Sequence, residues 1–225
     1  VFFGSADGIS RGTGLETLSP LTPGQAAGFG ISVAGVGDVD GNGYDDLLVG
    51  TASGAGGAFL FLRSSDGTAF AQSEITTTDL PLNVDARFGR SVSGAGDVNG
   101  DGLADVLIGA PGDLECINAQ NCTDDTPNYA GAAFVYLGSP SGLDLGSEHK
   151  LSPAFGAGGD GFGMAVSDAG DLNCDGVGDI VIGAEQTDET VGTRLRPDTG
   201  AAYVYYGVLS VGIDAVGTKL ADPRP

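Results

Sequence analysis

Three short acidic loops hold the residues of this 225-residue chain whose types and spacing are best suited to chemistry. In the first loop, side-chain oxygens stand at positions 1, 3, 5 and 9, glycine stands at position 6, and position 7 offers its carbonyl. The oxygen donors are Asp38, Asp40, Asn42, the Tyr44 carbonyl and Asp46. Calcium takes about six to eight oxygens at roughly 2.3–2.6 Å, and a glycine lets a loop turn sharply around the ion. The spacing therefore predicts a calcium site.

The same pattern recurs twice, which predicts three calcium sites in all. The second loop offers Asp97, Asn99, Asp101, the Leu103 carbonyl and Asp105, and the third offers Asp171, Asn173, Asp175, the Val177 carbonyl and Asp179. Asn-Gly and Asp-Gly pairs also form plain hairpin turns, but an unchanged pattern in three loops favours metal binding. Sodium and magnesium are alternatives, although magnesium prefers a smaller octahedral shell with retained waters.

Position 12 separates these loops from the EF-hand, which begins alike but ends with a bidentate glutamate between two helices. Here position 12 is Val49, Ile108 or Ile182, and apolar side chains cannot bind a cation. The runs that flank each loop are short and apolar, as in β-strands. Each loop is therefore expected to join two strands of a hairpin.

The chain reads as repeated units of four short strands, which begin at Phe29, Phe88 and Phe162. In the first unit, strands A to D are expected at 31–36, 47–49, 58–62 and near 74–78. Strands C and D of the later units are expected at 132–137 and 148–152, and at 201–206 and 218–221. Forty-one glycines suit many short strands with tight turns.

The units resemble the FG-GAP repeats of integrin alpha-subunit heads and of many bacterial secreted proteins. Phe-Gly opens each unit, the acidic loop follows, and Gly109-Ala110-Pro111 completes the motif in the second unit. The resemblance implies an all-β fold of β-propeller blades with four antiparallel strands each, in which the calcium loops join the first two strands. The chain departs from the pattern at Thr51, at Glu185, and at Cys174, which replaces the glycine found at positions 41 and 100.

The opening residues belong to the same scheme. Residues 1–9 match residues 135–143, and residues 16–20 match residues 149–153, so strands C and D of a preceding blade are expected there. The chain is thus expected to begin halfway through a blade. It forms one propeller segment over 1–225, with a half blade at 1–28 and blades at 29–87, 88–161 and 162–225, about three and a half blades in total.

An open ring of blades leaves apolar faces and strand edges bare, and propellers usually close with about four to eight blades. We therefore expect a partner for these faces. The alternatives are further blades of a longer polypeptide, a second copy that brings the total to seven, or a head-to-tail filament of copies.

A formal net charge of −21 argues against nucleic acid and anionic membranes as partners. No apolar run approaches the roughly 20 residues needed to span a bilayer, so no membrane insertion is expected.

Cys116 and Cys122 are close enough in sequence for a small disulfide loop, which would indicate an oxidising compartment. Two free thiols are the alternative. Cys174 is expected to be unpaired or linked to another chain, and Asn121 begins a short glycosylation sequence.

In an antiparallel blade the A–B and C–D connections emerge on one side, and the B–C and D–A connections on the other. The long B–C insertions, 111–130 and 185–200, are therefore expected opposite the calcium loops, where a partner could bind. Insertions without a role are the alternative.

His149 is the only histidine, and the sequence contains no nucleophile elbow, so we expect no enzyme activity.

These observations predict a secreted or cell-surface, calcium-stabilised propeller module for adhesion, structural scaffolding or self-assembly, with a protein partner or further copies of itself. The alternative is a non-catalytic or carbohydrate-binding propeller domain of a larger secreted enzyme, with a glycan as ligand.

Overall fold

A computed structural model describes most of the chain. The described residues are 4–5, 8–9, 16–20, 27–51, 55–77, 79, 85–112, 130–153, 161–187, 189–191, 194–196, 199–214 and 216–220. All regular structure in these ranges is β-strand, which confirms the all-β prediction. None of the described segments forms a helix that is long and apolar enough to cross a membrane.

Three four-stranded antiparallel sheets form the body of the molecule, one for each predicted unit. Sheet 1 contains β3 (Ser32–Gly37), β4 (Asp46–Thr51), β5 (Gly57–Arg63) and β6 (Phe70–Ile75). Sheet 2 contains β7 (Ser91–Gly96), β8 (Asp105–Ala110), β9 (Ala132–Ser139) and β10 (Gly142–Leu151). Sheet 3 contains β11 (Phe162–Gly170), β12 (Asp179–Ala184), β15 (Ala201–Tyr205) and β18 (Thr218–Leu220).

Three two-stranded hairpins accompany the sheets. They pair β1 (Gly4–Ser5) with β2 (Gly8–Ile9), β13 (Glu189–Val191) with β14 (Arg194–Arg196), and β16 (Gly207–Val208) with β17 (Gly212–Ile213). The sequence pattern did not predict the last two hairpins, because their strands are only two or three residues long. Such short runs carry no readable periodicity.

The sheets pack face to face as propeller blades, and the strands between two blades are buried on both sides. All six residues of β8 are buried, because sheet 2 has a neighbour on each face. One apolar core joins sheets 1 and 2 through Leu60, Ile108 and Phe134, and a second joins sheets 2 and 3 through Leu107, Ile182 and Tyr205. Burial of these side chains provides the main stabilisation of the blade seams.

The Phe-Gly pair of each blade meets the end of strand B in the blade before it. This contact is seen for blades 2 and 3: a Cβ added to Gly50 would lie 1.9 Å from the Gly89 carbonyl oxygen, and one added to Gly109 would lie 2.0 Å from that of Gly163. The same carbonyls accept hydrogen bonds of 2.8 Å from the hydroxyls of Ser32 and Ser91. Two elements of the repeat motif thus meet across each seam, where backbones touch.

Some strands differ from the prediction at their ends. Strand β6 ends at Ile75 rather than near residue 78, and β10 begins at Gly142 rather than at residue 148. A tight C–D turn lets β10 pair at once with β9, and a register shift between Asp144 and His149 restores the pairing further along. The sequence indicated only the regular half of this strand.

The described part of the half blade contains the β1–β2 hairpin. Its pairs, Gly4 with Ile9 and Ser5 with Gly8, match the pairs Gly138–Leu143 and Ser139–Gly142 in sheet 2. Residues 16–20 differ from the prediction, because they form no strand in the structure. Leu18 nonetheless packs against the apolar cluster of Val49, Phe59 and Phe61 on the outer face of sheet 1.

Candidate metal centres

The three acidic loops connect the first two strands of each sheet, and we name them loop 1 (38–46), loop 2 (97–105) and loop 3 (171–179). At position 6 of the loops, Gly43, Gly102 and Gly176 have φ angles of 91°, 90° and 94°. This left-handed conformation favours glycine strongly. The three loops therefore turn in the same way around the same point.

The aspartate at position 1 accepts hydrogen bonds from the backbone of its own loop. In loop 1, Asp38 accepts from the amides of Asn42 (3.0 Å) and Gly43 (2.7 Å). In loop 2, Asp97 accepts from Gly102 at 2.8 Å, and in loop 3 Asp171 accepts from Gly176 at 3.0 Å. These bonds fold each loop back over its first carboxylate.

The aspartate at position 9 is the buried member of each set, since Asp46, Asp105 and Asp179 have no exposed surface. One oxygen accepts from the amide at position 2, and the other accepts from an amide at the end of strand C. The donors from strand C are Arg63 (2.8 Å), Gly138 (2.8 Å) and Gly207 (3.0 Å), and those at position 2 are Val39 (2.9 Å), Val98 (2.8 Å) and Leu172 (2.7 Å).

Burial changes the ionisation of two of these carboxyls. Burial raises the pKa of Asp46 above its ordinary value, although hydrogen bonds from Arg63 and Val39 oppose the rise. Burial also raises the pKa of Asp105, to about 7, against the bonds from Gly138 and Val98. The neighbouring aspartates at positions 1 and 3 or 5 add repulsion in both loops. Such a carboxyl is stabilised either by a proton or by a nearby cation.

In loop 1 the carboxylates converge. Asp38, Asp40 and Asp46 each place an oxygen within 4.8 Å of the other two. The side-chain amide of Asn42 points away and donates to the Arg63 carbonyl at 2.7 Å, so its own carbonyl oxygen stays in the loop, where it accepts from the Tyr44 amide at 2.9 Å. All donor atoms are hard oxygens, the type that calcium prefers. The residues present therefore fit a calcium ion.

Loops 2 and 3 carry the same set with positions 3 and 5 exchanged, because asparagine precedes aspartate there. The amide of Asn99 donates to Asp101 at 2.9 Å, and that of Asn173 donates to Asp175 at 2.7 Å. The total of three carboxylates and one amide oxygen is unchanged. Among the described residues, the three carboxylates approach within 4.8 Å only in loop 1, so the fit of loops 2 and 3 to calcium rests on the chemistry of their donors alone.

Consecutive loops are joined by backbone hydrogen bonds. Ala104 of loop 2 donates to the Asp38 carbonyl at 3.0 Å, and Gly178 of loop 3 donates to the Asp97 carbonyl at 2.8 Å. The β16–β17 hairpin also covers loop 2, because Val208 and Ser210 donate to loop carbonyls at 3.0 and 2.6 Å. The A–B and C–D connections therefore lie on one side of the molecule, as the sequence predicted.

Loop 3 is more open than the other two. At position 2, Val39 and Val98 are fully buried, whereas Leu172 is 55% exposed. At position 4, Cys174 adopts the left-handed conformation of Gly41 and Gly100 and is exposed. A Cβ at Gly100 would lie 2.4 Å from the end of the Leu209 side chain, so a side chain in loop 2 would have to displace part of the covering hairpin. The substitution by cysteine is accommodated in the loop that is open.

Several other predicted features lie outside the described residues. These are Cys116, Cys122, Asn121 and most of the first B–C insertion, whereas the second insertion contains the β13–β14 hairpin. The B–C connection that begins at Pro111 lies beside the D–A linker, because Gly112 donates to the Ala86 carbonyl at 3.0 Å. His149 lies on β10 opposite Val135, beside Gly212.

The sequence reasoning missed the strand C residues that complete the loops. Gly138 and Gly207 occupy matching positions in sheets 2 and 3, and Arg63 occupies that position in sheet 1. Aligning the C strands would have shown a repeated glycine with one exception. That signal lies more than fifteen residues from the loop motif, so a search for loop ligands does not reach it.

Comparisons with known proteins agree with the repeated architecture. The FG-GAP repeat model matches residues 88–136, and a model described as an FG-GAP-like repeat matches residues 38–108. The chain is 33% identical over 178 residues to integrin alpha-4 and 31% identical over 209 residues to integrin alpha-5, both of Xenopus laevis. It is 30% identical over 183 residues to integrin alpha-IIb of Mus musculus. These matches cover 75%, 84% and 76% of this chain but only 15%, 18% and 16% of the relatives.

Proposed function

This chain belongs to the FG-GAP repeat family and is integrin alpha-like, and we propose that it is a calcium-stabilised β-propeller module that acts outside the cell in adhesion or assembly. Integrin alpha relatives support the extracellular, adhesion-type part of this proposal. The calcium part is supported by the residues of the three loops. The chain spans less than a fifth of the relatives it matches, so its role concerns this propeller segment.

The observation that carries the proposal is the repeated geometry of the loops. Each loop folds over the carboxylate at position 1 and buries the carboxylate at position 9 with both oxygens held by backbone amides. In loop 1 three carboxylates approach within 4.8 Å. Three negative charges so close together repel one another, and a divalent cation would remove that repulsion.

The mechanism would be rigidification of the blade seams. Because position 8 of one loop donates to position 1 of the loop before it, an ion that fixes one loop also fixes its neighbour. The same loops support the ends of strand C through the position 9 aspartates. Bound calcium would thus keep the blades in register for a protein partner.

Calorimetry with and without chelator tests the proposal. Each ion present at about 100-fold above its Kd adds about 2.7 kcal/mol to the free energy of unfolding. We expect EDTA to lower the melting temperature markedly and added calcium to restore it, with magnesium much less effective. An unchanged transition in EDTA would refute the calcium part of the proposal.

The partner is proposed to be a protein, or further blades that cover the open faces. At the loop 3 end, Leu172 and Leu220 are 55% and 51% exposed, and Val33 of sheet 1 is 70% exposed at the other end. Exposed apolar side chains at both ends of a blade stack favour contact with another surface. Light scattering over a concentration series distinguishes self-association, which raises the mass, from a requirement for a different protein, which leaves the chain monomeric.

A further inference from the structure

Arg63 occupies a position that glycine fills in the other two blades. In sheets 2 and 3, Gly138 and Gly207 lie against the loop of the preceding blade. A Cβ at these glycines would lie 2.6 and 2.3 Å from carbonyl oxygens of the blade's own loop, at Ala104 and Gly178, and 2.8 Å from a carbonyl oxygen of the preceding loop in both cases. In blades 2 and 3 the backbone of the blade's own loop and that of the preceding loop together leave no room for a side chain at this position.

The backbone of Arg63 keeps the contacts of those glycines and adds one. Its amide donates to the Asp46 carboxylate at 2.8 Å, as Gly138 does to Asp105. Its carbonyl also accepts from the Asn42 side chain at 2.7 Å. Arg63 is thus bonded to positions 5 and 9 of loop 1, two of the predicted ligands.

The side chain of Arg63 extends in the other direction, toward the half blade. Its guanidinium forms an ion pair with Glu16 at 3.0 Å and lies over the Phe70 ring, 4.5 Å from the ring centroid. A further bond joins it to the Gly67 carbonyl. The side chain of Arg63 is only 14% exposed, so the pair is partly shielded from water. One residue therefore connects loop 1 with the segment 16–20.

We propose that Arg63 is a positioning residue that couples ion binding in loop 1 to the docking of segment 16–20 on sheet 1. The inference rests on the proposed function, because it requires loop 1 to bind calcium. The ion pair fixes the side chain of Arg63, and its backbone then holds Asn42 and Asp46. Coupling of this kind is reciprocal, so the ion in turn stabilises the docked segment. In blades 2 and 3 the preceding acidic loop lies where segment 16–20 meets the Arg63 side chain in blade 1, so those blades have no equivalent ion pair at this position.

Terbium titration of the full chain measures the affinity of loop 1 separately from the others. Position 7 of loop 1 is Tyr44, whose ring can sensitise a bound lanthanide, whereas Leu103 and Val177 occupy that position in loops 2 and 3. Loss of a luminescence component in Tyr44→Phe identifies the signal from loop 1. Calcium competition against that component then gives the calcium affinity of loop 1, and calorimetric titration follows all loops together.

We expect Glu16→Gln to weaken binding at loop 1 by about two- to fivefold, as expected for loss of a partly shielded ion pair, and to change binding at loops 2 and 3 much less. Arg63→Gln should weaken loop 1 similarly, Arg63→Lys should restore part of the loss, and the double variant Glu16→Gln/Arg63→Gln should be no weaker than the weaker single variant. Asp85→Asn is the matched control, because it removes the exposed Asp85–Arg87 pair with the same change in charge. It should leave loop 1 unchanged.

Hydrogen exchange tests the reciprocal effect without measuring affinity. Asp40→Ala, which removes a loop 1 oxygen donor, should speed amide exchange in residues 16–20, whereas Asp101→Ala, which acts on loop 1 only through the contact between the loops, should speed it much less. Equal losses in all loops, or no loss at loop 1 in Glu16→Gln while the wild-type chain binds calcium there, would overturn the inference and leave the proposed function standing. Absence of any ion binding at loop 1 in the wild-type chain would overturn both.

Discussion

Loops 2 and 3 have nearly the same local structure, but loop 2 is covered by neighbouring elements and loop 3 is exposed. In both, the position 6 amide donates to the position 1 carboxylate, and the position 3 amide group donates to the position 5 carboxylate. Loop 2, however, lies under loop 3 and the β16–β17 hairpin, whereas Leu172 of loop 3 is exposed. The nine residues of a loop therefore determine its donor geometry, and the next blade determines which side chains it tolerates elsewhere.

The largest expected effect comes from a substitution that breaks the close backbone contact between blades 2 and 3. Gly109→Ala would place a Cβ 2.0 Å from the Gly163 carbonyl, and backbone atoms cannot move apart without opening the seam. We expect a loss of about 3 kcal/mol or more in the free energy of unfolding, measured by urea denaturation in saturating calcium. Gly183→Ala is the matched control, since its nearest neighbour would be 3.5 Å away. Similar losses in both variants would contradict the role of the seam.

The second effect concerns Asp105 and pH. Because its pKa rises from 3.8 to about 7 on folding, the folded state holds the proton more tightly than the unfolded state. The associated stability is complete below about pH 4 and is lost as the pH rises through about 7, at no more than about 1.4 kcal/mol per pH unit. We expect the chain in EDTA to lose about 2 kcal/mol between pH 5 and 7. Asp105→Asn should flatten the profile, and an unchanged slope would exclude Asp105 as its source.

The third effect compares position 2 of the two loops directly. Val98→Ala removes buried methyl groups beneath the next blade and should cost about 2 kcal/mol. Leu172→Ala trims a side chain that is 55% exposed and should change stability by less than about 0.5 kcal/mol. Thermal denaturation of both variants measures the difference. A larger loss in the Leu172 variant would mean that loop 3 is covered in solution, for example by a second copy.

The smallest effect involves position 4. Cys174 has a φ of 60°, which is strained for a residue with a side chain. Cys174→Gly relieves that strain but adds freedom to the unfolded chain, so we expect a net gain of only about 0.5 kcal/mol. The introduction of cysteine in loop 2, Gly100→Cys, should instead cost about 1 kcal/mol, because the side chain is strained at a φ of 74° and must also displace the end of Leu209. Equal tolerance at both positions would contradict the covering of loop 2.

The sequence predicted the four strands of each blade, because apolar alternation and the loop motif recur in the same order in each unit. It also placed the loops and the C–D turns on one side, since an antiparallel blade allows only that arrangement. The predicted donor positions depend only on spacing within nine residues, and their role as calcium ligands stays a prediction. The burial of Asp46, Asp105 and Asp179 and the amides that hold them are properties of the folded sheet.

The repeated sequence pattern could not predict the contacts between blades. Val98 and Leu172 occupy the same motif position with similar apolarity, yet one is buried and the other exposed. Arg63 lacks any motif that would mark it as a neighbour of loop 1. Both facts depend on which blade lies next to which, and a repeat motif describes one blade at a time.

One hydroxyl shows that the repeats are not interchangeable modules. Ser32 and Ser91 donate to the glycine carbonyl of the following blade, whereas the third unit has Ala165 at that position. A rearranged gene that moved the third unit to the middle of the array would bury a methyl group against that carbonyl and leave the oxygen without its donor. Shuffling or circular permutation of these units would therefore require a compensating serine at position 165. The side chains at the seams thus suit only one order of the blades.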